Sequence, residues 1–316
     1  MKDIRSLYLG RWQCSTTHHI EVSNMKVLCG VLNKLKTLTF LSLRGISMIT
    51  ELPTFISELN NLMILDLQAC HDLERIPDEV GLLKSLTHLD MSECYFLEHM
   101  PKSLAKLSNL QVLKGFLIGD SNGKKQSCTL GDLSRLGMLR KLNIYIRVTN
   151  ILGMEALPFE RFEGLEKLTI SWGGRTSQNQ ANIFTNGFQS LPPTLQKLDL
   201  QRFPMTSLPE CLMPYKLQKL KKLYIRGGKL RYLGQIGEPE VEPWTVDILK
   251  LKYLGKLQLD WSELTMLFPK LIYLHQVKCP RFTNFPCDKR GIWLNEKAND
   301  TRVHEFQKYI REKLAA

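Results

Sequence analysis

The chain repeats its apolar residues at a fixed interval of 24 positions between residues 38 and 113. The columns that keep this interval are Leu38, Leu62, Leu86 and Leu110; Leu41, Leu65, Leu89 and Leu113; Ile46, Cys70 and Cys94; and Pro53, Pro77 and Pro101. The residues between these columns differ from one unit to the next. One such unit cannot bury its apolar face alone, so successive units must stack to form a continuous core.

The motif inside each unit is L-x-x-L-x-L-x-x-C, which is typical of leucine-rich repeats. Side chains alternate along a strand, so the leucines of L-x-L face the core together. The residues between them, such as Ile64, Asp66 and Gln68, point outward. The cysteine suits a small buried position where the strand ends, and the later proline fixes φ on the return path.

Looser copies of the motif extend the pattern to about eleven predicted strands. These are Ile4–Leu9, Leu38–Leu43, Leu62–Leu67, Leu86–Met91, Leu110–Gly115, Leu139–Ile144, Leu165–Ile170, Leu195–Leu200, Leu220–Ile225, Leu254–Leu259 and Leu271–Val277. We predict an α/β solenoid over residues 1–286, most regular at 38–115. It would be a leucine-rich-repeat horseshoe with a parallel β-sheet on its concave face and short helices or irregular coils on its convex face.

The last segment, residues 287–316, changes its period. Val303, Phe306, Ile310 and Leu314 share one helical face, and Asp300 suits the N-cap. We predict an amphipathic helix that caps the last unit; a basic helix on a membrane surface is the alternative. The first predicted strand begins almost at the first residue, so no predicted helix shields the first repeat. Since solenoids need a cap at each end, we expect a preceding domain or a partner to cover it.

Composition favours a cytoplasmic protein. No apolar run approaches 18 residues, so we predict no membrane span, and no signal-peptide pattern stands near the start. The eight cysteines are dispersed, three of them in the core position of the repeat, and none forms a C-x-x-C pair. We therefore expect buried thiols, with Cys70 and Cys94 not joined in a disulfide.

The net charge of +12 is unevenly distributed. Residues 1–120 carry 12 basic and 13 acidic side chains, whereas residues 121–316 carry 31 and 18. No nucleic-acid-reading motif accompanies the basic half, and the stretch YKLQKLKKLYIR mixes its charges with apolar repeat positions. We interpret these charges as solvated edges of the units and predict no nucleic-acid partner. They are equally suited to attract an acidic protein surface.

The sequence does not indicate catalysis. The stretch GDSNGKK at 119–125 resembles a phosphate-binding loop, but three residues instead of four separate its glycines, and Lys125 stands where Ser or Thr is required. The histidines lack H-E-x-x-H spacing, and no G-x-S-x-G motif occurs. We therefore predict that the protein is not an enzyme and has no catalytic, cofactor-binding or metal-binding residues.

The detailed pattern L-x-x-L-x-L-x-x-C-x-x-L-x-x-[LI]-P over residues 4–286 resembles one plant family. It is similar to the repeats of intracellular nucleotide-binding leucine-rich-repeat (NLR) disease-resistance receptors of the coiled-coil type. Residues 107–146, with a K-G-F turn at 114–116, resemble the family's mid-domain stretch. The resemblance implies a domain that recognises a pathogen effector or a guarded host protein. The resemblance also implies that, in a full-length receptor, the repeat domain contacts and restrains an adjacent nucleotide-binding domain.

The family's nucleotide-binding motifs do not occur in this sequence, so ATP binding and cell-death signalling are not transferred to it. Two other functional classes also use leucine-rich repeats. One is the substrate receptor of a ubiquitin ligase, which an F-box-like helical bundle before residue 4 would indicate. The other is an intracellular signalling scaffold.

We predict that a protein ligand binds the later units through the concave face. In the first regular units the outward residues are small or acidic: Ser42, Asp66, Asp90 and Glu93. In the later units they are Tyr145, Trp172, Arg202, Tyr224, Arg226 and Trp261. Tyr, Trp and Arg are the residue types most enriched at binding hot spots. The alternative for both tryptophans is that the insertions at 173–193 and 226–244 cover them.

Overall fold

A computed structural model describes residues 3–10, 20–21, 30–119, 127–147, 158–173, 190–234 and 242–295. The chain divides into two compact units, Met1–Pro192 and Pro193–Ala316. The predicted C-terminal helix lies outside the described residues, as do Cys14 and Cys29.

The first unit is built on a parallel sheet. Its strands are β1 (Ser6–Tyr8), β2 (Ile20–Glu21), β3 (Phe40–Ser42), β4 (Ile46–Ser47), β5 (Ile64–Asp66), β6 (His88–Asp90), β7 (Val112–Gly119), β8 (Lys141–Arg147) and β9 (Lys167–Trp172). Strands β1, β3 and β5 to β9 pair in that order, always in parallel. Strands β2 and β4 form a separate parallel pair. Each predicted strand of this unit is present, although it is shorter or shifted by two or three residues.

The leucine columns form the core of the first unit. The register places Leu41 beside Leu65, Leu65 beside Leu89 and Leu89 beside Leu113, and all four are fully buried. Leu67 and Met91, at the next inward positions, are also buried. Of the residues predicted to face solvent, Glu93 is exposed and Asp66 and Asp90 are partly exposed. The predicted strand parity is therefore confirmed, because the leucine interval along the sequence becomes the step between neighbouring strands.

In each repeat of the proline column, the proline begins the segment that returns from one strand to the next. Pro53, Pro77 and Pro101 each adopt an extended conformation immediately before a short 3-10 helix. These helices are Thr54–Glu58, Asp78–Leu82 and Lys102–Lys106, and each buries apolar residues. A four-residue helix, α1 (Leu130–Leu133), follows the same path and begins with a capping box between Thr129 and Asp132. Proline suits the start of these helices because its φ is fixed and its missing N–H is not needed there.

The K-G-F segment is a bulge in β7 and not a turn. Gly115 has a φ of +78°, and the pairing of β7 with β8 shifts between Leu113 and Phe116. A Cβ atom on Gly115 would lie 2.3 Å from the backbone of Met91, so only glycine fits. After the bulge, Phe116 and Leu117 are both buried.

The second unit contains β10 (Lys197–Phe203), β11 (Lys222–Gly228), β12 (Ile248–Lys252), β13 (Leu259–Asp260), α2 (Trp261–Leu267), β14 (Tyr273–Val277), β15 (Phe282–Thr283) and β16 (Ile292–Leu294). Strands β10, β11, β12 and β14 are parallel neighbours, and β16 joins β14 in the antiparallel sense. The register aligns Leu198, Leu223, Leu249 and Leu274 as a buried column.

One predicted strand of this unit is wrong. The sheet contains β12, not a strand at Leu254–Leu259, of which only the last residue is in β13. Strand β13 pairs with β15 in a separate sheet. The residues of β12 also match the motif, because Val246, Leu249 and Leu251 reproduce its L-x-x-L-x-L spacing and are buried. A strand at β12 also stays close to the repeat interval of 24 residues, since Leu249 lies 26 residues after Leu223 and 25 before Leu274.

In seven repeats, a left-handed residue stands four positions after the buried leucine that occupies the first position of the L-x-L motif. In the first unit Gly45, Ala69 and Glu93 have φ values of +66°, +60° and +65°. In the second unit the residues with φ between +52° and +64° at this position are Arg202, Gly227, Tyr253 and Lys278. This conformation is unfavourable for side chains other than glycine, and its recurrence shows that the chain must turn sharply here to enter the return path.

The cysteine column connects neighbouring repeats by weak hydrogen bonds. Cys70 Sγ donates to the carbonyl of Leu43, and Cys94 Sγ to that of Leu67, both at 3.1 Å. In the second unit, Cys279 Sγ donates to the Leu251 carbonyl at 3.4 Å. None of these buried thiols is in a disulfide, as predicted for Cys70 and Cys94. A small side chain that also donates a hydrogen bond satisfies a buried carbonyl at this position.

Candidate functional site

The outward face of the first unit begins with polar side chains that bind each other and their own backbone. Ser42 Oγ donates to Asp66 Oδ2 at 3.0 Å, and Lys114 forms an ion pair with Asp90 at 2.5 Å. Each aspartate also accepts the backbone N–H two residues further on. Ser42 bonds the outward Asp66, as its predicted outward position requires, but its side chain is buried. The hydrogen-bonding capacity of these side chains is therefore largely used within the chain itself.

The two predicted aromatic residues of the first unit have opposite positions. Tyr145 alternates with buried Ile144 and Ile146 along β8 and is partly exposed on the outward face. Trp172 is 2 % exposed, so its assignment to the binding face is wrong. The reason is strand parity: β9 continues to Trp172, which therefore shares the inward side with Leu168 and Ile170.

The second unit presents a tyrosine held between two lysines. Tyr224, the third residue of β11, is partly exposed. The Nζ atoms of Lys197 on β10 and Lys250 on β12 lie 4.5 and 4.8 Å from the centre of its ring. Cation–π attraction therefore orders all three side chains.

The two predicted arginines of this unit also differ. Arg226 forms an ion pair with Asp199 on the neighbouring strand, at 2.5 Å. The side chain of Asp199 is only 4 % exposed, whereas that of Arg226 is 47 % exposed. Arg226 thus has a structural contact in addition to an accessible surface. Arg202 is exposed at its left-handed position.

Trp261 is not on the sheet face. It is the first residue of α2, whose N-cap Asp260 accepts a hydrogen bond from the Ser262 backbone. Its ring packs edge-to-face against Phe285 and Trp293, with centroids 5.5 and 4.8 Å away. The wrong frame for β12 caused this error, because it placed Trp261 two residues after a strand that does not exist.

Positive charge is concentrated on the outward face of the second unit. Burial lowers the pKa of Lys250, and the nearby Lys252, Lys197 and Arg226 lower it further. Burial and Arg226 also lower the pKa of Lys252. Burial, together with Lys252 and Lys250, lowers the pKa of His275 to about 4, so this imidazole is neutral at pH 7. Burial is the largest cause of all three lowered pKa values, and cations that lie close together with little negative charge among them add to it.

The sequence interpretation missed the lysines of this face. Lys197, Lys250 and Lys252 were counted among the solvated edges, but they occupy outward positions of β10 and β12. The available signal was the alternation in K-L-D-L, K-L-Y-I-R and I-L-K-L-K, which places basic residues between buried leucines. Within the described residues, no group of three or more His, Cys, Asp or Glu side chains is arranged to hold a metal ion.

The repeated strand, the ladder of inward leucines and the return through 3-10 helices define the leucine-rich-repeat class of solenoid. The leucine-rich repeat region family matches residues 12–230, and the chain belongs to this family. The Disease resistance RPP13-like protein 4 of Arabidopsis thaliana is 30% identical over 204 residues, which are 62% of this chain and 23% of that protein. The chain is thus similar to the repeat domain of a plant disease-resistance protein and spans under a quarter of that relative's length.

A solved structure shares the fold. The TLR13–ssRNA13 complex matches 83% of this chain and 36% of that protein, with a TM-score of 0.54 and 23% identity. The plant peptide hormone receptor RGFR1 in complex with RGF2 matches 85% and 43%, with a TM-score of 0.46 and 18% identity. In the described part of this chain, no helix has the length and apolar character needed to cross a membrane.

Proposed function

We propose that this chain is the protein-recognition module of a plant immune receptor. It acts in the cytoplasm and binds a pathogen effector, or a host protein that an effector has modified, through the outward face of its strands. In a full-length receptor it also restrains the adjacent nucleotide-binding domain. The similarity to an Arabidopsis disease-resistance protein supports this assignment.

The observation that carries the proposal is the construction of the sheet face around Tyr224. Its ring is partly exposed, yet the lysines on both neighbouring strands hold it in place. A pre-ordered tyrosine loses little conformational entropy when a partner covers it, which favours binding. The regular parallel strands supply the rigid support that a recognition surface needs. Leucine-rich repeats typically serve as interaction modules without catalytic activity, which agrees with this function.

The experiment is capture of the full chain's partner from leaf tissue before and after pathogen challenge. Tyr224→Ala and Tyr145→Ala each change one outward aromatic residue. The matched control is Tyr215→Ala, which removes an exposed tyrosine from the short helix Pro214–Lys216, outside the sheet. Captured proteins are identified by quantitative mass spectrometry and then mixed as purified components.

The expected result is a protein that binds wild type and Tyr215→Ala equally and binds one of the sheet-face variants at least about tenfold more weakly, as expected for a hot-spot residue. Melting temperatures of all variants exclude a loss of binding through unfolding. Equal binding by all three variants would refute recognition through these outward tyrosines. Specific capture of ubiquitin-ligase core subunits would instead support the substrate-receptor function.

A further inference from the structure

The outward face of the second unit is chemically one-sided. Among the residues of β10, β11, β12 and β14, the one acidic side chain is Asp199. It is buried and bound by Arg226, so its charge is neutralised locally. The basic side chains on these strands are Lys197, Arg202, Lys222, Arg226, Lys250 and Lys252.

Four of these basic residues, Lys197, Arg226, Lys250 and Lys252, lie close together on three neighbouring strands. The register places Tyr224 beside Asp199 and Lys250, and Arg226 beside Lys252. Burial lowers the pKa of Lys250 and of Lys252, and the neighbouring cations lower both further. An anion placed among these cations removes repulsion that the folded chain otherwise retains, which gives a favourable electrostatic contribution to binding.

We propose that the outward face of β10, β11 and β12 binds an acidic, extended segment of the partner protein, with two or more carboxylates directed at Lys197, Lys250 and Lys252. This inference rests on the proposed function, in which the sheet face binds a protein, and it specifies the chemistry of the bound segment.

The spacing of the lysines favours a chain of carboxylates over a single small anion. The Nζ atoms of Lys197 and Lys250 lie 4.5 and 4.8 Å from the same ring centre, so they are no more than 9.3 Å apart. Side chains two or three residues apart in an extended segment are separated by about 7–10 Å. One peptide can therefore place a carboxylate on each lysine, on either side of Tyr224.

The aromatic residues of this face favour a protein ligand over a single-stranded nucleic acid. Nucleic-acid-binding sheets present open aromatic faces on which bases stack. Here the ring of Tyr224 is already covered by lysines from the strands on both sides. Tyr273 has Lys250 over its ring at 5.8 Å and contacts His275 edge-to-face. Lys197, Lys250 and Lys252 are partly exposed, whereas lysines already occupy the face of the Tyr224 ring on which a base would stack.

The test is fluorescence anisotropy of the full chain with a labelled ten-residue peptide in which glutamate alternates with serine. A peptide of glutamine and serine provides the neutral control, and ten nucleotides of single-stranded oligouridylate provide the nucleic-acid control. The key variant is Lys197→Ala with Lys250→Ala. Its matched control is Lys219→Ala with Lys256→Ala, which removes the same charge from exposed turns of the second unit.

We expect the glutamate peptide to bind more tightly than both other probes, with an affinity that decreases as salt is raised. The Lys197/Lys250 variant should weaken it about tenfold, and the turn control less than about twofold. Tyr224→Phe should retain binding because its ring still orders the lysines, whereas Tyr224→Leu should weaken it.

Equal losses in the two lysine variants would overturn the proposal, because the peptide would then sense net charge alone. Tighter binding of the oligouridylate, or no binding of the glutamate peptide, would also overturn it. Either result would leave the proposed function to its own test, because capture of an immune partner through Tyr145 or Tyr224 does not depend on these probes.

Discussion

Arg226 on β11 forms an ion pair with the buried carboxylate of Asp199 on β10, across two adjacent strands of the second unit. The Asp199 Oδ1 atom has no hydrogen-bond partner, so the contact of Oδ2 with Arg226 is the interaction that offsets the cost of burying this charge. The arginine that the sequence suggested as a binding residue therefore also stabilises the fold.

Arg226→Ala should lower the free energy of unfolding by about 1–3 kcal/mol, because it leaves a buried carboxylate without its cation. Lys222→Ala is the control, since it removes an exposed cation from the same strand; its effect should lie within about 0.5 kcal/mol. Urea denaturation measures both. Adding Asp199→Asn to Arg226→Ala should restore part of the lost stability, and equal effects of the two single variants would contradict this role of Arg226.

The sequence predicted the inward side of the sheet well because the leucine columns obey two simple rules at once. The sequence interval between repeats sets which residues are neighbours on adjacent strands, and the alternation along each strand sets which of them are buried. Leu65 and Leu89 satisfy both rules and are adjacent and buried. Prediction was less reliable where a strand could end at different residues, as at Trp172, or where two frames matched the motif, as before Trp261.

The outward side could be predicted only in part, because no spacing rule governs it. Strand parity predicts that Tyr224 points outward. Its position between Lys197 and Lys250 can be known only from the register, which shows which residues are adjacent on the three strands. The ion pair of Asp199 with Arg226 is likewise a contact between residues 27 positions apart. Such contacts become visible only when the register of the sheet is known.

Gly115→Ala should be much more destabilising than Gly227→Ala, although both glycines have positive φ. A Cβ at Gly115 would meet the Met91 backbone at 2.3 Å, whereas a Cβ at Gly227 would have no atom within 4 Å. Gly227→Ala should therefore cost only the left-handed penalty of about 1 kcal/mol. Gly115→Ala should cost about 3 kcal/mol or more, since rigid backbone must also move.

Chemical denaturation of the two variants tests this difference, and Ala69→Gly provides the reverse change. Ala69 has a φ of +60°, so glycine there should relieve strain and raise stability by a few tenths to about 1 kcal/mol. Similar losses for Gly115→Ala and Gly227→Ala would show that the bulge in β7 does not need a glycine for space.

Trp172→Ala should destabilise the first unit by about 3–5 kcal/mol, because it removes a large buried ring and leaves a cavity. Tyr145→Ala is the comparison, since this neighbouring aromatic residue lies on the outward side of β8; it should cost about 1 kcal/mol or less. Thermal melting followed by circular dichroism measures both. A tryptophan variant as stable as the wild type would place Trp172 at the surface, as the sequence interpretation had it.

The buried thiols predict a loss of stability in alkaline solution. Burial raises the pKa of Cys128 to about 12 and of Cys211 to about 11, from an ordinary value of 9.0. Above pH 9 the unfolded chain releases these protons, whereas the folded chain retains them until the pH approaches 11 or 12. The unfolded state is therefore favoured as the pH rises, and each thiol should remove on the order of 1 kcal/mol or more over this range.

Lysines and tyrosines titrate in the same range, so the measurement is a difference between two proteins. The free energy of unfolding of the wild type and of Cys128→Ala with Cys211→Ala is determined by urea denaturation at several values between pH 8 and pH 11. The variant starts lower, because two small cavities replace the sulfur atoms, but its stability should decrease less steeply above pH 9. Parallel curves would mean that these thiols ionise as easily in the folded protein as in the unfolded chain, which their burial in the core does not allow.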